Sequence, residues 1–575
     1  MQIIKSLFKL LVFICPIGAV AQSTYLQQGD KAYPFIERME IKQQRNTHLN
    51  FSTLKPYNRK HILQQAQFLD SARKGYTDSL GADRFAEWTD LGLSAVDEYN
   101  LQSLYMNNAE WYNGDTELFK SKKPFLKSFY KTRPNFFEVN SKDFYLAVNP
   151  VLQFAAGKES KNDETIFQNS RGIVLRGLIA RKVGFAAYMT ENQEQGPSYY
   201  REMVSNLRAV PGVGFYKNFK KTKGYDYFDA RGYVTFNAAK FIDFQLGYDK
   251  NFIGNGYRSL FLSDWGNSYL FAKINTRIWK LNYQNLFMEL TPQFVKRSGD
   301  LLLPKKYAAM HHLSVNVTRW LNVGLFESVV FGRKDHFDFQ YLNPIIFYRH
   351  IEGTLGSPDN ALAGLDFKAN VAHRLQFYGQ LLLDEFKLKE IKENKGWWAN
   401  KQGIQLGAKY VDAFGVKNLD IQGELNRVRP FTYTHRDSVA DYTHYNQPLA
   451  HPLGANFNEW VGILRYQPMP KWYIYARLLY YNKGLDSTGY NAGGNIFRNY
   501  EDRFGIEEGY KIAGGKKLTA VNALLQVSYE WKPNLFFDIS LQQRNYKIAK
   551  TTGNTGSTLI QAGVRLNMFK PQFDY

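Results

Sequence analysis

The chain of 575 residues holds one cysteine. That residue, Cys15, sits in an opening segment where Lys5 and Lys9 flank the start of an apolar run centred on Leu10 to Ile14, and Ala19-Val20-Ala21 resembles a cleavage site before Gln22. The sequence predicts a Sec-type signal peptide over residues 1–21, cleaved near Ala21, and a mature protein with no cysteine. Disulfides and thiolate metal sites are then excluded. Lipidation of Cys15 is the rival reading, but a small residue normally precedes a lipidated cysteine and here it is Ile14. Long apolar runs are missing as well. No stretch after the signal has 18 consecutive apolar residues, which excludes a helical membrane span. There is no Gly-x-Ser-x-Gly nucleophile elbow and no phosphate-cradling Gly-Lys-Ser/Thr loop. No cofactor and no enzymatic activity are expected.

Acidic residues are in the minority. Lys and Arg number 73 against 52 Asp and Glu, for a formal net charge of +21. Removal of the signal lowers this by the charges of Lys5 and Lys9. Part of the excess clusters at Lys217, Lys220, Lys221 and Lys223. Basic clusters attract anions. For an exported chain those are lipopolysaccharide phosphates and acidic polysaccharides rather than nucleic acid, and a solvated loop is the simpler alternative.

What the chain has in quantity is alternation. Val521, Ala523, Leu525, Val527, Tyr529 and Trp531 are apolar, while Asn522, Gln526, Ser528 and Glu530 between them are polar and Leu524 is the exception. After Lys532-Pro533-Asn534, Leu535, Phe537, Ile539 and Leu541 alternate with Phe536, Asp538, Ser540 and Gln542. Such a period of two predicts strands with one oily face, as in a transmembrane β-barrel. Without a helical span, only a closed barrel satisfies every backbone hydrogen bond in a bilayer. Aromatic residues make up 16% of the chain, which suits interfacial girdles. A secreted, tyrosine-rich β-sandwich is the soluble alternative.

Tight turns are expected near Arg181-Lys182, Ala239-Lys240, Trp279-Lys280, Arg319-Trp320, His373-Arg374, Ala413-Phe414, Pro468–Pro470 and Pro533-Asn534. With a leading strand from Asp143 to Phe154 and a closing strand from Thr558 to Phe569, about 18 antiparallel strands result. Longer connections fall at 155–170, 192–226, 251–268, 293–307, 333–359, 387–400, 431–457, 484–518 and 548–557. Short turns alternate with long loops, as periplasmic turns and extracellular loops do in outer-membrane barrels. In the closing strand, Gln561, Gly563, Leu566 and Met568 match the spacing read by the outer-membrane assembly machinery. Ile560, Ala562, Val564, Leu566 and Met568 are expected to face lipid, and Gln561, Arg565 and Asn567 the lumen.

The predicted domains are a signal over 1–21, a helical periplasmic plug or cap over 22–140, and a barrel over 141–575. In the second of these, Asn58 caps a helix reaching about Thr77, and another helix lies between Arg84 and Trp111. Asp420, Gln422, Glu424 and Asn426 predict a polar lumen, which needs water, a plug or inward-folded loops. The apolar loop 333–359 is the candidate for folding inward. His435, His444 and His451 share loop 431–457 with Asp437 and Asp441 and are the one candidate metal or acid–base cluster. Loops rich in rings and amides suit sugars, whose ring faces stack on aromatics. The expected ligand contacts are Trp397, Trp398, Tyr442, Tyr445 and Asn446, with Arg258 in a structured loop. Loops packing on each other to close the barrel mouth is the alternative.

Five segments carry a resemblance: KDFYLAVNPVLQF (142–154), NSRGIVLRGL (169–178), GYDKNFIGNGYRSLFLSD (247–264), GTLGSPDNALAGLDFK (353–368) and NQPLAHPLGANF (446–457). Together they resemble the Wzi-like capsule-assembly outer-membrane proteins, and among these the RemB-type gliding-motility proteins of Bacteroidota. The resemblance implies an 18-stranded barrel with an N-terminal periplasmic helical bundle. It also implies binding or anchoring of surface exopolysaccharide, or support of gliding or adhesion. The implied partners are outer-membrane lipid and lipopolysaccharide, surface polysaccharide, the assembly machinery, and gliding or adhesion proteins. A porin or specific transporter for an anionic or sugar solute is the alternative.

Overall fold

A computed structural model of the chain describes residues 22–44, 52–73, 93–160, 162–219, 223–295, 302–333, 336–345, 347–549, 554–569 and 574. The predicted signal peptide lies outside the described residues.

Eighteen long antiparallel strands close into one barrel. In chain order they are β1 (Phe144–Glu159), β2 (Asn162–Ile179), β3 (Val183–Gln195), β4 (Tyr225–Ala239), β5 (Ile242–Asp249), β6 (Tyr269–Ile278), β7 (Leu281–Leu290), β8 (Lys306–Asn316) and β9 (Leu321–Phe331). Then come β10 (Asn360–Val371), β11 (Leu375–Glu385), β12 (Lys401–Tyr410), β13 (Leu419–Val428), β14 (Phe457–Tyr466), β15 (Trp472–Leu485), β16 (Lys516–Lys532), β17 (Leu535–Ile548) and β18 (Asn554–Leu566). Strand β18 pairs with β1, Arg565 opposite Gln153 and Gln561 opposite Gly157, and this seam leaves no edge. All eight expected tight turns join neighbouring strands, and they share one end of the barrel.

The alternation sets the faces. On β17, Phe537, Ile539 and Leu541 are exposed on the outer wall, while Asp538, Ser540 and Gln542 point to the lumen. Trp279, Trp320, Trp472 and Trp531 stand exposed near the turn end. No described helix is long and apolar enough to cross a membrane. The spanning elements are the strands.

Three expectations need correction. The connection 155–170 is not a long loop, because β1 runs to Glu159 and β2 starts at Asn162. Its polar and small residues are compatible with a paired ladder, and they simply continue it. Met568 does not face lipid. The chain leaves the strand after Leu566, Asn567 takes a left-handed φ of 50°, and Met568 is buried against Val151 and Tyr188. The third concerns loop 333–359, which folds outward rather than inward. His311 pairs across the sheet with Asn285 and Glu327, so three polar residues form one row on the outer wall. Tyr348 stacks on His311 with ring centres 4.0 Å apart, and Glu327 accepts hydrogen bonds from the backbone N–H groups of Phe347 and Arg349. The loop covers polar groups that bare lipid would leave unsatisfied.

The N-terminal segment lies against the lumenal wall at the turn end. Helix α1 (Ala32–Gln43) was not anticipated; helices α2 (Arg59–Arg73) and α3 (Ala95–Asn107) were. Asn58 accepts from the His61 N–H at the start of α2, and Ser94 with Asp97 forms a capping box on α3. Phe35, Ile36 and Met39 of α1 pack with Leu63 of α2 and Leu104 of α3 in a small core. The other face of α1 is charged and buried. Arg38 meets Asp97 of α3 at 2.8 Å and pairs with Asp412 and Asp420 on the β12–β13 hairpin. Glu37 pairs with Lys409 at 2.9 Å and Glu40 with Lys368 at 2.5 Å. Leu54 and Lys55 form a short ladder with Phe252 and Ile253 of the loop between β5 and β6. The segment is joined to the wall and to that loop.

Candidate functional site

Two long loops enter the barrel. In 251–268, Gly256 sits where a Cβ would come within 2.4 Å of a Glu424 carboxylate oxygen and 2.9 Å of the Arg258 carbonyl, so a side chain there would force the loop or Glu424 to shift. Glu424 accepts the backbone N–H groups of Tyr257 and Arg258, at 2.7 and 3.1 Å, and the Tyr378 hydroxyl at 2.8 Å. Leu260, Phe261 and Leu262 then pack against Leu286, Met310, Phe326 and Leu382 of the wall, with Phe261 stacked on Phe326. Loop 431–457 closes over them. The hydroxyls of Tyr433 and Tyr442 donate to the carbonyls of Leu260 and Phe261, at 2.8 and 2.7 Å.

These loops fill one side of the lumen, along β6 to β14. The opposite side, walled chiefly by β15–β18, β1 and β2, keeps a cavity of about 620 Å³. Its wall carries Gln153, Gln168, Gln526, Gln542 and Gln561 beside the rings of Tyr199, Tyr257 and Tyr475. The floor is the N-terminal segment, with Lys31, Tyr33 and Glu37. Rings beside amides are the chemistry a sugar needs, and the size lies in the usual range for ligand pockets.

Arg258 is at the cavity's edge and is buried. Its guanidinium bonds Glu459 at 3.0 Å and, in a two-pronged contact, Asp574 at 2.9 and 3.0 Å. Burial alone would lower its pKa, but Asp574 and Glu459 outweigh that and hold it charged. Arg258 is therefore an internal anchor as well as a cavity residue.

The other expected contacts are mostly committed to internal bonds. Trp398 donates from Nε1 to Glu507 at 2.7 Å, and the Arg503 guanidinium lies 4.2 Å from its ring centre. With Phe431 and Tyr510 it forms the core joining loops 387–400, 431–457 and 484–518. Trp397 packs at the border of that core and remains half-buried. Tyr442 is fully buried. Asn446 spends its amide on the carbonyls of Leu207 and Phe294 and the N–H of Phe294. Tyr445, half-buried, has its ring centre 4.7 Å from that of Phe294. The mouth-closing alternative describes most of these residues. Replacing Trp398 by alanine should cost about 3 kcal/mol in the mouth alone. Limited proteolysis should then cut 387–400 and 484–518 faster while the barrel stays folded.

The three histidines do not converge. His435 interacts with Asp437, His444 with Ser268 and Thr291, and His451 with Glu459 at 2.7 Å. Among the described residues no group of three or more His, Cys, Asp or Glu could hold a metal ion. Burial pushes the His444 pKa down to about 4. The folded state therefore favours the neutral ring, and its contribution is complete above the unfolded value near 6.5 and lost as pH falls toward 4. From pH 7 to pH 5 the contribution of His444 should fall by on the order of 2 kcal/mol, read as the difference between wild type and a His444→Gln variant in hydrogen exchange of 431–457. His444→Gln keeps one donor and one acceptor and should flatten this slope. The adjacent pair splits, with His312 facing inward to Asp366 at 2.7 Å and His311 facing outward. Of the basic cluster, Lys220 and Lys221 lie outside the described residues, Lys217 is exposed, and Lys223 pairs with Glu164 at 2.5 Å.

No protein-family model matches the chain, and no curated protein does. Among solved structures, the fold is similar to Wzi of Escherichia coli, an outer-membrane protein involved in group 1 capsule assembly and described as a carbohydrate-binding β-barrel. The TM-score is 0.54 at 12% identity, over 96% of this chain and 100% of that one. OprD of Pseudomonas aeruginosa aligns with a TM-score of 0.41 at 12% identity, over 73% of this chain and 95% of that one. The class defined is a closed 18-stranded transmembrane barrel, similar in fold to Wzi.

Proposed function

We propose that the chain is a non-enzymatic outer-membrane barrel, exported with its signal removed, that binds or anchors surface exopolysaccharide. RemB-type support of gliding or adhesion is the finer form of this reading. The observation that carries it is the occupied lumen. A barrel of this size could hold a wide aqueous channel, yet here the N-terminal segment and two re-entrant loops are bonded to the lumenal wall and to one another. Such an interior suits a fixed binding platform. The aromatic mouth and the likeness in fold to a carbohydrate-binding barrel support it further.

The mouth offers the half-buried rings of Trp397 and Tyr445 to glycan, with Trp398, Tyr442 and Asn446 holding the loops behind them. The outer wall meets outer-membrane lipid and lipopolysaccharide, and Gln561, Gly563 and Leu566 of the closing strand carry part of the spacing that the assembly machinery reads. Clean deletion should release polysaccharide from the cell surface or impair spreading. Complementation with Trp397→Ala and Tyr445→Ala together should restore barrel levels but less than half of the retained polysaccharide. Unchanged retention and motility in the deletion strain would end this reading. The amide-lined cavity favours one alternative, passage of a small solute, and conductance distinguishes the two.

A further inference from the structure

The closing strand ends at Leu566, yet Asp574 is back inside the lumen with its side chain wholly buried. It meets the Arg258 guanidinium through both oxygens, accepts from the Tyr257 hydroxyl at 2.8 Å, and lies 3.6 Å from Arg477 of β15. Arg477 in turn donates to the Tyr257 hydroxyl at 2.6 Å. The guanidinium groups of Arg258 and Arg477 thus face two carboxylates, Glu459 and Asp574. Glu459 is a wall residue of β14, further fixed by His451 and Asn426. Asp574 is a tail residue. If it leaves, one positive charge in a buried site lacks its counter-charge, which is costly unless another carboxylate enters.

Arg258, Arg477 and Tyr257 all line the 620 Å³ cavity, beside Gln526, Gln542 and Gln561. We propose that this cavity is a binding site for an acidic saccharide of the uronic acid class, whose carboxylate takes the place of the Asp574 side chain. The proposal rests on the polysaccharide reading above and names its substrate class. The sugar rings lie against Tyr257 and Tyr475, and their hydroxyls bond to the glutamine amides. Bidentate arginine contact selects carboxylate over neutral sugar. The tail acts as a tethered competitor at high effective concentration, so apparent affinity depends on how firmly Asp574 holds its place.

The test is calorimetry on the full-length protein in detergent with trigalacturonate, against the neutral trisaccharide maltotriose. Asp574→Asn weakens the tethered competitor and leaves the closing strand intact. It should tighten trigalacturonate binding at least about tenfold, equivalent to about 1.4 kcal/mol, and leave maltotriose unchanged. Arg477→Gln in the same background should remove the gain. A second readout needs no variant: trigalacturonate should speed hydrogen exchange at Asp574 in the wild type, and maltotriose should not. Equal affinity of wild type and Asp574→Asn for trigalacturonate, or an equal gain for maltotriose, would overturn the proposal. So would absence of binding to either protein together with unchanged exchange at Asp574. None of these would touch the surface role if deletion still released polysaccharide from cells, so the two readings fail separately.

Discussion

Replacing Arg38 by alanine should free the N-terminal segment from the lumen wall. Arg38 is buried and joins three carboxylates: Asp97 within the helical bundle, and Asp412 and Asp420 on the β12–β13 hairpin. Truncating one partner of a buried ion pair costs about 3–5 kcal/mol, chiefly because the remaining charges are stranded. Lys42 reaches Asp97 at 3.3 Å and Asp412 at 2.9 Å, so the loss should fall near the lower figure. The barrel's ladders are not involved, and the folded barrel should persist. Trypsin should cut within residues 22–112 at least about tenfold faster, since about 1.4 kcal/mol of opening free energy already gives that factor. Arg38→Lys should behave much like alanine, because an ammonium cannot fork to several carboxylates at once. Protection equal to wild type would show that the apolar bundle alone seats the N-terminal segment.

The second large effect is expected at Glu459. Its carboxylate receives Arg258 of one inner loop at 3.0 Å, His451 of the other at 2.7 Å, and Asn426 of β13 at 3.0 Å. Glu459→Ala removes the one wall carboxylate that both loops share and leaves the Arg258 guanidinium with Asp574 as its carboxylate partner. A loss of about 3–5 kcal/mol in loop anchoring follows. Hydrogen exchange should rise in 251–268 and 431–457 together, while β16–β18 stay protected. Glu459→Gln keeps a hydrogen-bond acceptor but not the charge and should fall between. Exchange that rose in only one loop would contradict a shared anchor.

The barrel wall was legible in the sequence because its signal is local. A strand with one oily face repeats every two residues, and each expected turn, from Arg181-Lys182 to Pro533-Asn534, joins the strands assigned to it. The destination of the loops was not local. Loop 333–359 is apolar enough to fill a lumen, yet it lies outside, because Asn285, His311 and Glu327 occupy outward positions that need cover. That row of polar residues on an otherwise oily face was the available signal. Helix α1 was missed although Phe35, Ile36 and Met39 recur at helical spacing, since charged residues on its other face hide the stripe. The same compensation hid the site. Arg258 and Asp574 are 316 residues apart, and nothing in either neighbourhood announces the other. Trp398 and Tyr442 have the composition of sugar contacts, and the sequence does not show that they also bond to Glu507 and the Phe261 carbonyl.

Single-channel conductance in planar bilayers tests the central claim, that the lumen is occupied by the chain itself, most directly. Full-length protein should be silent or show only rare, small events, and a chain lacking residues 22–112 should conduct in steady steps. Steady large conductance from the full-length protein would contradict the account and make it a transport channel.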